Sequence, residues 1–399
     1  MIRVLRIINR FNLGGPTFNA AYLTRYLGDE FETLLVGGQK DESEADSEYI
    51  VNSLGIEPVR IPEMQRSINP ILDYQAYLKI KQIIKEFKPD IVHTHASKSG
   101  ALGRRAAAYL KVPIIIHTFH GHVFDAYFNQ MSSNFYIRLE RHLAQKSDAI
   151  ITLSENQFSD ITEKYKIAPP EKTHIIPLGF DLSRFTENKE EKRKQFREKY
   201  AVAEDEIAIG IIGRLVPVKN HELFVDAIDE LYHNSSKKIR AFIVGDGETR
   251  ANVENMFAQR SIPFSNGKDS KKTVVFTSWQ KDVDIVNAGL DIVALTSLNE
   301  GTPVSLIEAQ ASGKPIVTTN VGGIQNIVQE GKTALIADIL NKNDFISKLK
   351  SVVENDSLRA SLSNKGWDFV SDKFHYTRLV KDVKHLYISI LAKKKLLKQ

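Results

Sequence analysis

Short β-branched apolar runs alternate with longer amphipathic stretches from one end of the chain to the other. In the first half the runs fall at Val4–Ile8, Thr33–Val36, Ile91–Thr94, Ile114–Thr118, Ala149–Leu153 and His174–Ile176. Between them, apolar positions recur at helical spacing near Asn19–Leu27, Tyr74–Phe87, Gly100–Leu110, Asn134–Gln145 and Glu155–Tyr165. The second half repeats the scheme, with strands at Ile207–Ile212, Arg240–Val244, Val274–Thr277, Ile292–Leu295, Ile316–Thr318 and Ala334–Ile336, each followed by a helical period. Strands that alternate with helices in this way predict βαβ units and parallel sheets. The two series are separated by the charged run Glu187–Lys194, which follows Pro177-Leu178-Gly179-Phe180. We therefore expect an α/β chain with a hinge at about residues 177–186 and two doubly wound domains. Each should bind ligand at the carboxyl ends of its strands.

Composition narrows the class. At 399 residues, 42% hydrophobic and 26% charged, the chain has the balance of an ordinary globular protein and is long enough for two cores. No apolar stretch approaches the roughly 20 residues that cross a bilayer. The N-terminal run is interrupted by Arg3, Arg6, Asn9 and Arg10, which reads as a buried first strand and predicts a cytoplasmic protein. Without cysteine there are no disulfides, thiolate metal sites or thiol nucleophiles. A net charge of +5 suits polyanions in general. No nucleic-acid-binding motif accompanies it, so a nucleic-acid partner is not expected.

The strongest local signal is the string from Leu295 to Ala309. A buried strand ends, a loop carries Glu300, Gly301 and Thr302, and Pro303 stands where the first turn of a helix should begin. Unpaired amides at that helix start, with the helix dipole, can hold a diphosphate. Glu308 lies about 7.5 Å further along the axis. A second element, Gly213-Arg214 followed by Lys219, places two cations just after a strand. Fixed cations there would stabilise charge developing on a leaving diphosphate. Taken singly, these features also read as a capped helix and surface charges. Gly245-Asp246-Gly247-Glu248 reads equally as a tight turn or a nucleotide contact. Neither it nor Gly14-Gly15 is the G-x-G-x-x-G fingerprint, which disfavours a nicotinamide or flavin dehydrogenase.

Together Gly213, Arg214 and Lys219, the paired Glu300 and Glu308, the Gly14-Gly15 loop and His120 resemble the retaining glycosyltransferases of family 4, and the segment from Thr118 to Phe128 resembles that of members that build bacterial surface polysaccharides. The resemblance implies the GT-B fold, two Rossmann-like doubly wound domains facing across a cleft. Residues 1–180 would form the acceptor-binding domain and residues 181–374 the nucleotide-sugar domain, with a last helix in residues 375–399 packing back on the first. It implies no metal or other cofactor. Gly15, Arg214, Lys219, Gly301, Thr302 and Pro303 would surround the donor diphosphate, and Glu308 would hold the ribose. Glu300 would contact the donor sugar, His120 would lie near the reacting centre, and Gly245, Ser278 and Trp279 are candidates for the base. Relatives usually carry glycine where this chain has Ser278. The resemblance suggests a UDP-linked hexose or N-acetylhexosamine donor and a glycan or lipid-diphosphate-linked acceptor.

Other features leave room for rivals. His93-Thr94-His95 and the cluster from His117 to His122 contain two H-x-H pairs at strand ends that could bind zinc in a hydrolase; core or loop histidines are the simpler reading for His93, His95, His117 and His122. A sugar-nucleotide epimerase or a plain binding module would share the architecture. Asp282-Val283-Asp284 reads as a helix cap. Lys98 and Arg105 follow a strand end and could hold an acceptor phosphate. Phe124, Tyr127, Phe128, Phe135 and Tyr136 near Arg138 and Arg141 read as helix core or a headgroup-facing surface. With the lysines at 393–398, that surface could give weak contact with an anionic membrane, placing the protein peripherally on the inner face of the plasma membrane.

Overall fold

The structure, a computed structural model, describes residues 1–11, 15–39, 48–65, 67–120, 130–267 and 271–396. It divides into two compact units, Met1–Phe180 with Phe374–Gln399, and Asp181–Lys373.

The first unit contains β1 (Ile2–Arg10), β2 (Phe31–Gly38), β3 (Val59–Arg60), β4 (Ile91–His95), β5 (Ile114–Thr118), β6 (Ala149–Thr152) and β7 (Thr173–Ile175). They form one sheet in the order β3-β2-β1-β4-β5-β6-β7. Every neighbouring pair is parallel. Strands covered on both faces read as near-continuous Val/Ile runs, as these do. On one face Val4, Ile91, Ile114 and Ile116 pack with Leu379, Val383, Leu386 and Tyr387 of the last helix, Tyr376–Leu396. On the other, Leu5, Ile7, Val92 and Ile115 meet Ala76, Ile80 and Ile84 of the helix Pro70–Phe87, and Ala106 and Ala107 of the helix Ser97–Tyr109. The last helix is tied down by Arg378, whose Nη2 donates to Pro177 O at 2.8 Å and Leu178 O at 2.7 Å.

The second unit holds β8 (Glu206–Ile212), β9 (Lys238–Val244), β10 (Phe264–Ser265), β11 (Val274–Ser278), β12 (Ile292–Leu295), β13 (Ile316–Thr319) and β14 (Ala334–Ala337), ordered β10-β11-β9-β8-β12-β13-β14. It too is parallel throughout. The strand order reverses at β1/β4 in the first sheet and at β8/β12 in the second. Open α/β sheets bind ligands at such switch points.

Two sequence expectations are corrected, and the charged run Glu187–Lys194 that separates the two strand series carries a helix, Lys189–Lys199. Glu190, Glu191 and Lys194 face out, while Phe196 is buried with its ring centroid 4.9 Å from that of Phe242, and Arg193 and Arg197 bind Asp291 at 2.9 and 3.2 Å. Asp282 precedes the helix Val283–Gly289 but makes no side-chain capping bond. The anchoring acid is Asp284, held by Arg184 and by Lys192 at 3.0 Å. Phe135 is 63% exposed, so it is not core; its outward position on the helix Gln130–Gln145 leaves the packing to Tyr136 and Ile137. Phe124, Tyr127, Phe128, His122 and Lys398 lie outside the described residues.

Candidate active site

The second sheet's switch point brings together residues far apart in sequence. Beyond β8 the chain runs through Gly213 and the exposed Arg214 to a single 3₁₀ turn, Pro217–Lys219. Beyond β12 it runs through buried Thr296 and Ser297 to Glu300. Lys219 Nζ meets Glu300 Oε1 at 2.5 Å, with the two side chains 21% and 10% exposed. Ser297 Oγ donates to the same carboxylate oxygen at 2.6 Å, and Thr296 Oγ1 donates to Lys219 O at 2.9 Å. The two loops are also joined by Leu298 N–H donating to Val218 O at 2.8 Å. Lys219 carries three N–H donors and Glu300 several acceptor sites, so their mutual bond leaves capacity for a ligand on each.

Glycines let neighbouring backbones brace these loops. A Cβ at Gly245 would overlap Gly213 O, and one at Gly247 would overlap Leu215 O. Gly322 and Gly323 lie equally close to the carbonyls of Glu300 and Gly301, and Gly323 N–H donates to Glu300 O at 2.9 Å. By contrast, a Cβ on Gly301 would meet nothing within 4 Å, so that side of the loop is open.

The helix after Glu300 is Val304–Ala311. Pro303 is its N-cap, with φ −69° and ψ 106°, and not a residue of its first turn as the sequence suggested. Its extended ψ delays the helix by one residue, so the amides at the start belong to Val304 and Ser305. Further along, Glu308 is partly buried, and burial raises its pKa to about 7 against the opposing pull of Arg184. Burial also works against ionisation of Asp284 nearby, but hydrogen bonds from Lys192 and Arg184 outweigh it and hold that carboxyl below its usual range. Ser278 ends β11 at φ 55°, a left-handed conformation that favours glycine. Its Oγ accepts from Arg250 Nη1 at 2.7 Å, and its carbonyl accepts from Gly245 N–H at 3.1 Å. The adjoining Trp279 is 43% exposed.

In the first unit, His93 lies in the middle of β4, His95 at its end and His117 in β5, all fully buried. They join a polar network that leaves His95 Nε2 and His117 Nε2 without partners, and among the described residues they form no group that could hold a metal ion. Arg6 Nη1 lies 3.1 Å from His93 Nδ1 and donates to Tyr387 OH at 3.1 Å, while His93 Nε2 lies 2.7 Å from Thr118 Oγ1. His117 Nδ1 is 2.9 Å from Thr94 Oγ1. His120, two residues past β5, puts Nε2 2.9 Å from His95 Nδ1. Burial pulls its pKa down to about 3, so the ring is neutral. Lys98 is engaged by Asp73 at 2.6 Å and by Ser67 O, and Arg105 lies over the Tyr77 ring at 5.6 Å. Gly15 begins the helix Gly15–Arg25, where a Cβ would press on Leu178 Cδ1 at 2.9 Å.

Two family models match the chain in tandem, Glycosyltransferase Family 4 over residues 13–184 and Glycosyl transferases group 1 over residues 192–368. The chain belongs to glycosyltransferase family 4. This glycosyltransferase is 28% identical, over 84% of both chains, to the UDP-Gal:alpha-D-GlcNAc-diphosphoundecaprenol alpha-1,3-galactosyltransferase of Escherichia coli. Its fold matches that of Anabaena HepE, solved in complex with UDP, with a TM-score of 0.79 and 18% identity over 97% of this chain and all of the other. WaaG, a glycosyltransferase involved in lipopolysaccharide biosynthesis, matches with a TM-score of 0.71 and 17% identity over 96% and 99%. The fold is therefore GT-B.

Sequence reasoning missed several residues that shape the glycosyltransferase's second-unit edge. Gly322 and Gly323 act only once the β12 and β13 loops meet, and Ser297 acts within its own loop by binding Glu300. Arg250 ties Ser278 to Asp246 at 2.7 Å, and on sequence it is an ordinary helix-start arginine. His221, next to Lys219, is buried with Nδ1 unpartnered among the described residues, and burial followed by Lys219 lowers its pKa to about 4. No helix among the described residues is long and apolar enough to cross a membrane.

Proposed function

We propose that the protein transfers a hexose or N-acetylhexosamine, with retention at the anomeric carbon, from a UDP-linked donor to a glycan or lipid-diphosphate-linked acceptor in cell-surface polysaccharide synthesis. The observation that carries this reading is the Lys219–Glu300 pair at the second sheet's switch point, beside the start of the helix Val304–Ala311. As the bond from the anomeric carbon to the diphosphate breaks, charge builds on the leaving group. Arg214, Lys219 and the amides after Pro303 stabilise it, with Gly15, Gly301 and Thr302 lining the phosphates. Glu300 accepts from donor-sugar hydroxyls, Glu308 from the ribose diol, and His120 orients the sugar in transfer. Gly245, Ser278 and Trp279 stand by the base. A serine held at φ 55° occupies a glycine-like position there, which supports the correspondence with relatives that carry glycine. The UDP and the lipid-diphosphate acceptor rest on what the Escherichia coli and Anabaena relatives are named for. No cofactor is needed, since fixed cations do a metal's work.

Lys98 and Arg105 remain the acceptor candidates, although Lys98 would have to exchange Asp73 for a phosphate. Weak contact with an anionic membrane is supported by an exposed stripe, Ile71, Tyr74 and Leu78, 72, 61 and 44% exposed, along one side of the helix Pro70–Phe87, with Ile68, 66% exposed, just before the helix begins. Lys81, over the Tyr109 ring at 3.8 Å, supplies charge beside it. The test of the main reading is a thermal-shift panel of UDP, GDP and ADP sugars followed by a transfer assay in EDTA. Saturation with donor at about 100 times Kd should stabilise the folded chain by roughly 2.7 kcal/mol. Stabilisation by GDP or ADP sugars alone would refute the UDP assignment, and loss of activity in EDTA restored by manganese would refute the metal-free site.

A further inference from the structure

We infer that His95 is a positioning residue: the hydrogen bond between its Nδ1 and His120 Nε2 fixes the tautomer and ring direction of His120, so that His120 meets substrate through an Nδ1–H donor. This rests on the reading of His120 as the residue that orients the sugar in transfer.

A guanidinium only donates, so Arg6 at 3.1 Å makes His93 Nδ1 an acceptor and puts the His93 proton on Nε2, facing Thr118 Oγ1 at 2.7 Å. Tyr387 OH, 2.6 Å from the same Nδ1, closes the network from the last helix. With its tautomer pinned, the His93 ring is a fixed floor on which His95 stacks, centroids 4.3 Å apart and planes 27° from parallel. His95 is fully buried and cannot swing away.

A neutral imidazole carries one N–H, so between His95 Nδ1 and His120 Nε2, 2.9 Å apart, one donates and one accepts. Among the described residues, His95 Nε2 and His120 Nδ1 are buried without partners. Either direction leaves one N–H without a partner, on His95 Nε2 if His120 donates and on His120 Nδ1 if His95 donates; His95 is fully buried whereas His120 is only partly buried, so the N–H is better placed on His120, where a ligand can accept it. The favoured arrangement has His95 Nδ1–H donating. The His120 proton then rests on Nδ1, the one ring nitrogen its neighbour leaves available. Ala96, directly after His95, is held at φ 67° and ψ 167°, a region almost reserved for glycine. Such strain persists where the surrounding structure fixes a functional geometry.

The test compares His95→Leu, His95→Asn and His120→Ala in the full chain, with ¹⁵N NMR of the histidine rings. Asn can place an amide donor near the Nδ1 position; Leu cannot. His95→Leu should lower kcat roughly tenfold to hundredfold, the range for partners that orient an imidazole, with donor KM within about twofold. His95→Asn should recover most of the loss at equal melting temperature, and wild-type His120 should show a protonated Nδ1 and a bare Nε2. Wild-type turnover in His95→Leu, or a wild-type His120 protonated on Nε2, overturns the inference; the NMR arm stands even if the leucine variant fails to fold. Wild-type turnover in His120→Ala instead overturns the reading of His120 itself.

Discussion

The carboxyl edges of the two sheets occupy equivalent places in similar windings, yet one is furnished with neutral rings and the other with ions. At the first, His93, His95 and His117 are driven well below their usual pKa by burial, and nearby Arg6 or Arg104 adds to the effect. Charge there would be desolvated and repelled, so this edge offers hydrogen bonds without charge. At the second, Lys219 and Glu300 face each other with some exposure, and an ion pair survives. A cation beside a helix start suits a diphosphate; stacked neutral imidazoles suit hydroxyls. The difference teaches that the winding supplies the position while local burial chooses the chemistry.

If the second edge carries the charge stabilisation, Lys219→Met should lower kcat by about 10²–10³ with the fold intact. A loss below threefold, with circular dichroism unchanged, would break the comparison. His120→Ala should act on the neutral edge, lowering kcat and kcat/KM together by roughly a hundredfold while donor Kd stays put. Since His120 is neutral above a pKa of about 3, its removal should not erase any limb of the pH–rate profile near pH 6.5.

Glu308→Gln sharpens the contrast from the charged side. Loss of a charge-assisted hydrogen bond should weaken donor binding about tenfold to hundredfold, measured by calorimetry. In the wild type, affinity should rise between pH 6 and 8 as the carboxyl ionises through its pKa of about 7, and in the variant it should stay flat. The stability sign is the reverse. The folded pKa lies above the ordinary 4.5, so ionisation opposes folding, and the wild type loses stability as pH rises from 4.5 through 7. The glutamine variant should therefore gain melting temperature relative to wild type at pH 8 and not at pH 4. The smallest effect is expected at the exposed stripe: Ile71→Ser with Tyr74→Ser should weaken binding to anionic vesicles severalfold, at roughly 0.5 kcal/mol of partial apolar burial per side chain, and leave donor affinity unchanged. Equal vesicle binding would remove the stripe from the account.

Much of this architecture is legible in the sequence because parallel strands covered on both faces must be apolar runs. The two strands that escaped, Val59–Arg60 and Phe264–Ser265, are two-residue edges too short to show a period. The helix Lys189–Lys199 does not stand out in the sequence because Phe196 is the one large apolar anchor among charged residues. At the site, Arg214, Lys219 and Glu300 stand out because each follows a strand end. Their support does not: Gly322 and Arg250 gain meaning only through partners 22 and 28 residues away that topology brings into contact. The pairing of His95 with His120 was hidden for the same reason, since β4 and β5 must lie side by side before it exists.

The central claim, that the second sheet's edge binds the donor diphosphate through fixed cations, is tested most directly by titrating UDP in EDTA into wild type and Lys219→Met by calorimetry. The account predicts metal-independent binding by the wild type and affinity at least about tenfold weaker in the variant, the loss of one charge-assisted contact. Equal affinity in the two proteins, or wild-type binding that appears only when a divalent metal is restored, would contradict it.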